Sequence, residues 1–113
     1  MSATALQRGE IYRVRRPQYG DPKKSRCFVI VCRQELLDSK AHRVLCATVN
    51  TSGFGLSTEV PIDENEGLKH PSVINCDQLT RFEQILLTAY VGKVFGEKLL
   101  RLKSALRVAL GVD

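Results

Sequence analysis

Arg26 separates two unlike stretches of chain. Before it runs the polar, cationic Lys23-Lys24-Ser25, and after it come six apolar residues, Cys27-Phe28-Val29-Ile30-Val31-Cys32. A guanidinium where a charged loop enters a rigid strand suits a phosphate group, because its planar fork offers two donors to two oxygens at once. Other polar residues also stand at the ends of apolar runs: Asn50-Thr51-Ser52, and Asn75 with Asp77-Gln78. Loops held by a sheet are where binding and catalytic groups concentrate. Each of these residues also has a plainer reading: Arg26 as a surface charge, Thr51-Ser52 as a turn, and Asp77 as the cap of a following helix.

The remaining reactive side chains point elsewhere. His42 and His70 carry protons near neutral pH and form a candidate acid–base pair. Cys27, Cys32, Cys46 and Cys76 are the four cysteines, and the spacing of Cys27 and Cys32 on one strand sends them to opposite faces and lacks a zinc-knuckle pattern. They are expected to be buried free thiols, with no metal site. Asp63, Glu64 and Glu66 read as a solvated acidic turn. Gly53-Phe54-Gly55 lacks the GK[ST] and the helix that a phosphate-binding glycine loop requires.

The elements that must position these residues follow from periodicity. Ile11 to Arg15 alternates apolar and cationic residues, as a half-buried strand does. Residues 27–33 read as a strand buried on both faces. Gln34 to Ser39 suits one helical turn. Arg43 to Val49 is a second central strand beside the first. Ser57 to Ile62 is a strand that Pro61 assigns to an edge. Ser72 to Cys76 is a strand, Arg81 to Leu87 is expected to be helical, and Tyr90 to Val94 is a short last strand. From Gly96, apolar residues at Leu99, Leu102, Leu106 and Ala109/Leu110 recur at helical spacing, and Gly111 suits the C-cap. The expectation is a mainly β, α+β fold: about six antiparallel strands in a curved sheet or partly open barrel, closed on one face by the C-terminal helix.

Size and charge are consistent with that picture. The 113 residues suit one domain, with 43% hydrophobic residues to build a core. Net charge is +5 and unevenly placed: residues 1–43 carry ten Lys/Arg against four Asp/Glu, and the rest carry seven against eight. A positive first third favours a polyanionic partner. No apolar run approaches the roughly 20 residues that cross a bilayer. The N-terminus lacks the pattern of a signal peptide, so the expected location is cytoplasmic.

Five segments, in order, resemble the MazF/PemK/Kid family of toxin endoribonucleases from type II toxin–antitoxin systems. They are Arg8-Gly9-Glu10-Ile11-Tyr12, Arg26 with Phe28-Val29-Ile30-Val31, Val49-Asn50-Thr51-Ser52, Ser57-Thr58-Glu59-Val60-Pro61, and Pro71-Ser72-Val73 with Cys76-Asp77-Gln78. The Leu99–Leu110 tail resembles the family's closing helix. The resemblance implies a single toxin domain over residues 1–113 with an SH3-like barrel, working as a homodimer. It implies an mRNA interferase: a cofactor-free, metal-independent endoribonuclease that cuts single-stranded RNA through 2′-hydroxyl attack, leaving 2′,3′-cyclic phosphate and 5′-hydroxyl ends. It also implies inhibition of translation and growth, and neutralisation by a cognate antitoxin protein.

The same resemblance puts the catalytic arginine on Arg26 and the catalytic threonine on Thr51. Asn50 stands as an extra residue there, so Thr48 or Ser52 are alternatives, and Asp77 is a supporting candidate. Arg13, Arg15, Arg16, Lys23 and Lys24 would hold phosphates, with Asn75 and Gln78 in the RNA-binding set and Tyr19 stacking on a base. The chain departs from the family pattern at Cys27, where a proline is usual, at Asn75, where some members carry a second arginine, and at Thr80. Other classes compatible with the same features are a gyrase-poisoning toxin of this fold and a catalytically inactive RNA-binding module.

Overall fold

The computed structural model describes residues 6–15, 25–39 and 42–112. Its elements are β1 (Glu10–Arg15), β2 (Ser25–Ile30), α1 (Gln34–Asp38), β3 (Arg43–Asn50), β4 (Glu59–Ile62), β5 (Ser72–Glu83), β6 (Ala89–Lys93) and α2 (Gly96–Leu110). The six strands form one sheet in the order β4-β5-β3-β2-β1-β6, and every pairing is antiparallel. Pro61, which has no N–H to give a ladder, lies on the edge strand β4 as its chemistry requires.

Both faces of the sheet are covered, which explains the unbroken apolar run in β2. One face buries Ile11, Cys27, Val29, Ala47, Val60 and Ile74 beneath Leu102, Ala105 and Leu106 of α2. The other buries Tyr12, Val14, Phe28, Ile30, Cys46 and Phe82 with Leu37 of α1. Burying each large side chain contributes about 1.5–3 kcal/mol. Phe28 and Phe82 meet edge to face with ring centroids 4.5 Å apart. Cys27 and Cys32 fall in opposite clusters, as their spacing predicts, and all four thiols are free and buried.

In α2 the buried stripe is Leu102, Ala105 and Leu106, with Leu99 and Ala109 packed against it, while Leu110 faces outward. Gly111 caps the helix at φ +68°. No described helix is long and apolar enough to cross a membrane.

One expected element is different. Arg81–Glu83 are not helical but complete a twelve-residue β5, and only Gln84–Leu86 form a single 3-10 turn. The reason is pairing: Arg43, Val44 and Leu45 of β3 lie opposite Glu83, Phe82 and Arg81, and Phe82 drives its ring into the core. A register shift between Ala47 and Thr48 keeps β3 in step along the long partner strand. Asp77 therefore caps no helix. β2 is also shifted relative to expectation, beginning at Ser25 and ending at Ile30.

The sheet curls into a half-barrel. The turn that follows β4 reaches across to β6, where Gly67 and Gly92 lie backbone to backbone. A Cβ on Gly92 would collide with the carbonyl of Glu66. Gly67 also adopts φ +96°, open to glycine at no steric cost.

Candidate functional site

Antiparallel order gathers distant parts of the chain at one end of the sheet. β1, β3 and β4 finish there, and β2 and β5 start there. A cavity of about 740 Å³ opens at that end. Its wall draws on β1 (Arg13), the start of β2 (Ser25, Arg26, Cys27), the end of β3 and its loop (Val49, Asn50, Thr51, Ser52, Phe54), and the turn before β5 with its first residue (Leu68, Lys69, His70, Ser72).

The wall is strongly one-sided in charge. Arg13, Arg26 and Lys69 are cations, and among the described residues of the wall none is Asp or Glu. Arg13 lies opposite Cys27 across β1 and β2, and its Nη1 reaches the Ser25 hydroxyl at 3.4 Å. Burial raises the Cys27 thiol above its ordinary pKa, with Arg13 pulling the other way. Arg26 is exposed, the second residue of its strand. Thr51 and Ser52 are exposed just past the end of β3. The arrangement offers charge-assisted and hydroxyl donors to an anion, with no competing carboxylate among the described wall residues.

A buried carboxylate shapes the loop between β3 and β4. Glu59 is 5% exposed, and its oxygens accept the N–H of Phe54 at 2.9 and 3.2 Å and the N–H of Leu56 at 2.9 Å. Gly53 passes so close to this carboxylate that a Cβ there would stand 2.9 Å from both oxygens. Tied from below, the loop holds the Phe54 ring out at the cavity, 89% exposed.

The turn on the opposite wall is tied just as firmly. Asp63 and Glu66 form reciprocal backbone caps around a 3-10 turn, with the Asp63 N–H donating to Glu66 at 2.8 Å. Lys98 of α2 donates to the same carboxylate oxygen of Glu66 at 2.8 Å. The acidic turn expected to be solvated thus has one member, Glu66, only 3% exposed. Beyond Gly67, the Ser72 hydroxyl donates to the His70 carbonyl at 3.0 Å.

Several candidates from the sequence stand apart from the cavity. Thr48 is buried, and its hydroxyl donates to the Gln78 carbonyl at 3.1 Å, so it is a sheet residue rather than a free donor. Asp77 accepts from the Thr58 hydroxyl at 2.6 Å, and Asn75 accepts from the Asp77 N–H at 2.9 Å. β5 carries three extra residues, Cys76, Asp77 and Gln78, between the partners of Thr48 and Ala47, and Asn75, Asp77 and Gln78 are not among the wall residues. Gln78 still braces the site, accepting from the Asn50 amide at 3.2 Å.

Arg15 is exposed on β1 but outside the wall. Arg16, Tyr19, Lys23 and Lys24 lie outside the described residues. The two histidines do not form a pair, because His42 precedes the eight-residue β3 at the far end of the sheet from the cavity. Among the described residues no group of three or more His, Cys, Asp or Glu is placed to hold a metal ion.

The geometry also adds residues that spacing did not reveal, Phe54 and Lys69 at the wall and Glu59 and Glu66 as loop anchors, and it keeps His70, a candidate from the sequence, at the wall without His42. Glu59 lay within a recognisable segment, but nothing in a Thr-Glu-Val-Pro string tells a buried loop anchor from a surface acid.

Comparison with known proteins converges on one family. The family described as PemK-like, MazF-like toxin of type II toxin–antitoxin system matches residues 7–110. Endoribonuclease MazF3 of Mycobacterium tuberculosis is 32% identical over 83 residues, covering 74% of this chain and 77% of that protein. Among solved structures, Mycobacterium tuberculosis toxin MazF-mt6 is 27% identical with a TM-score of 0.77, covering 92% of this chain and 98% of that one. A mycobacterial endoribonuclease in complex with its cognate antitoxin shares the fold at 21% identity and a TM-score of 0.80, covering 96% of this chain and 98% of that one.

Proposed function

Because the chain belongs to the PemK-like, MazF-like toxin family of type II toxin–antitoxin systems, we propose that it is an endoribonuclease toxin acting on single-stranded RNA at the cavity between β1–β2 and the β3–β4 loop. The observation that carries this reading is the meeting of Arg26 and Thr51, 25 positions apart in sequence, in a cavity wall whose described residues include three cations and no carboxylate.

The chemistry follows from those donors. The ribose 2′-hydroxyl attacks the adjacent phosphorus, an O2′–P bond forms, and the P–O5′ bond breaks. The products are a 2′,3′-cyclic phosphate and a 5′-hydroxyl fragment. Negative charge builds on the non-bridging oxygens in the transition state. Arg26 stabilises that charge through donors that strengthen as it develops, and Thr51 donates to a phosphoryl oxygen, with Ser52 beside it. Arg13 and Lys69 hold neighbouring phosphates. Phe54 offers its face to an unstacked base, as single-stranded RNA recognition favours.

The family match over residues 7–110 supports reading the chain as one toxin domain. The homodimeric state is carried over from the family. Neutralisation is assigned to an antitoxin that lays an acidic segment on the cationic wall. This is the chemistry its charge favours, and a fold neighbour has been solved with its cognate antitoxin. The action is assigned to the cytoplasm, where mRNA is translated.

The test is cleavage of a long single-stranded transcript in the presence of a chelator, with mapping of fragment ends. Wild type yields fragments with 5′-hydroxyl ends. Arg26→Ala lowers the rate by about 100-fold or more, the usual scale for loss of a transition-state donor. Intact RNA with wild type, or full cleavage by Arg26→Ala, overturns the reading.

A further inference from the structure

The 2′-hydroxyl must lose a proton, and the wall of the cavity holds few groups able to take it. Arg13, Arg26 and Lys69 are its charged side chains, and arginine has no acceptor to offer. The Cys27 thiol is held protonated by burial. Asp77, the aspartate of the Cys76-Asp77-Gln78 segment, accepts from Thr58 instead and stands outside the wall. His42 lies at the other end of β3. Among the described residues, His70 is the one wall side chain with an imidazole, whose ring nitrogen can serve as a proton acceptor.

Its backbone is also unusually well fixed for an exposed residue. The Ser72 hydroxyl donates to the His70 carbonyl, and Pro71 locks the next φ. Upstream, Gly67 is wedged against Gly92 of β6, and Glu66 is held by Lys98 of α2. Three separate elements therefore hold the turn that places His70 in one cavity wall with Arg26 and Thr51.

We propose that His70 is the general base of the cleavage step, accepting the 2′-hydroxyl proton at a ring nitrogen while Arg26 and Thr51 stabilise the phosphoryl oxygens. The balance is simple. The O2′–P bond forms as the proton passes to His70, the P–O5′ bond breaks, and the departing 5′-oxygen takes a proton from water. This rests on the RNA-cleavage reading above and adds to it the group that receives the proton.

The experiment uses the purified full chain and a single-stranded RNA oligonucleotide that the wild type cuts, with affinity measured on the same sequence carrying 2′-O-methyl groups. His70→Gln is expected to lower the single-turnover rate by about 10²–10⁴-fold, the range for general-base removal, with affinity unchanged. The wild-type pH–rate profile should show a rising limb from a catalytic base, and the variant's profile should lack that limb. In His70→Gly, added imidazole should restore cleavage, which a structural role would not allow.

Cleavage by His70→Gln at the wild-type rate overturns the proposal and leaves the endoribonuclease reading intact. Loss of affinity in step with rate makes His70 a phosphate contact and also overturns it. Failure of the wild type to cut any single-stranded RNA removes both readings together.

Discussion

The carboxylate of Glu59 holds the backbone of Phe54: Oε1 and Oε2 accept the Phe54 N–H at 2.9 and 3.2 Å, from a side chain sunk beneath the loop. With the Leu56 N–H also bonded to Oε1, one buried acid sets the path of the loop that follows Thr51 and Ser52. Glu59→Gln keeps the size but replaces one acceptor oxygen with an NH₂ group facing backbone donors. The expected loss of stability is about 1–3 kcal/mol, the cost of leaving buried partners unsatisfied. Denaturant unfolding measures it, and RNA cleavage should fall as the loop loses its set position. A variant as stable and as active as wild type would show that the carboxylate does not shape the loop.

Phe54 itself bears on binding rather than on stability, since its ring is almost wholly exposed. Phe54→Ala should weaken binding to single-stranded RNA by about 1–3 kcal/mol, the range for removing one base-stacking aromatic. Its unfolding midpoint should stay at the wild-type value. Phe54→Trp should retain affinity and report RNA binding by quenching of its fluorescence. Equal affinities of Phe54→Ala and wild type would rule out stacking.

The opposite wall depends on contacts made far from the cavity. Lys98→Met removes the cation that meets Glu66 at 2.8 Å and leaves a buried carboxylate with only the Asp63 N–H. Lys98 is a third exposed, so the cost should fall between that of surface and buried pairs, about 1–3 kcal/mol. Gly92→Ala forces a methyl into the Glu66 carbonyl and should cost at least as much. Both changes should lower RNA cleavage as well as the unfolding midpoint, because the turn that carries Lys69 and His70 is seated on these contacts.

Alkaline pH should weaken the fold in a defined window. Burial, with neighbouring Cys32, pushes the Cys46 thiol up to about 12, and burial, with Asp77, pushes Cys76 to about 11. Burial, with Glu10 adding charge and a hydrogen bond, pushes the Tyr12 phenol to about 12. Each folded-state pKa is raised, so each contribution is fully present below the unfolded value and is lost as pH climbs toward the folded one. The unfolded thiols release protons from about pH 9 while the native ones keep theirs, so stability falls by about 1.4 kcal/mol per pH unit per group. Unfolding free energies at pH 8 and pH 10 should therefore differ by roughly 2–3 kcal/mol from the two thiols. Cys46→Val should remove about half of that difference, and an unchanged slope would contradict it.

Much of the fold was legible because it depends on local patterns. The alternation in Ile11–Arg15, the apolar run after Arg26, the proline in β4, the helical stripe from Leu99 and the terminal Gly111 each express a constraint felt within a few residues. Five ordered segments identified the family, and they include both Arg26 and Thr51, which the structure places in one cavity wall. Arg81–Glu83 escaped this kind of reading. Their composition suits helix or strand, and the choice was made by Val44 and its neighbours on a strand almost forty residues earlier.

The sequence by itself determined the family and most of the strands, and set Arg26 at the junction of a charged loop and an apolar strand, because side-chain period and motif order need no partner to be read. Only the tertiary structure decided which polar residues share the cavity. Strand direction brings Lys69 and His70 into one wall with Arg26 and leaves His42 at the other end of β3, while Asp77 is engaged by Thr58 and Gln78 supports the wall from behind through Asn50. Burial, which no local pattern reports, turned Glu59 and Glu66 from apparent surface acids into the anchors of the two cavity walls, and committed the Thr48 hydroxyl to the sheet.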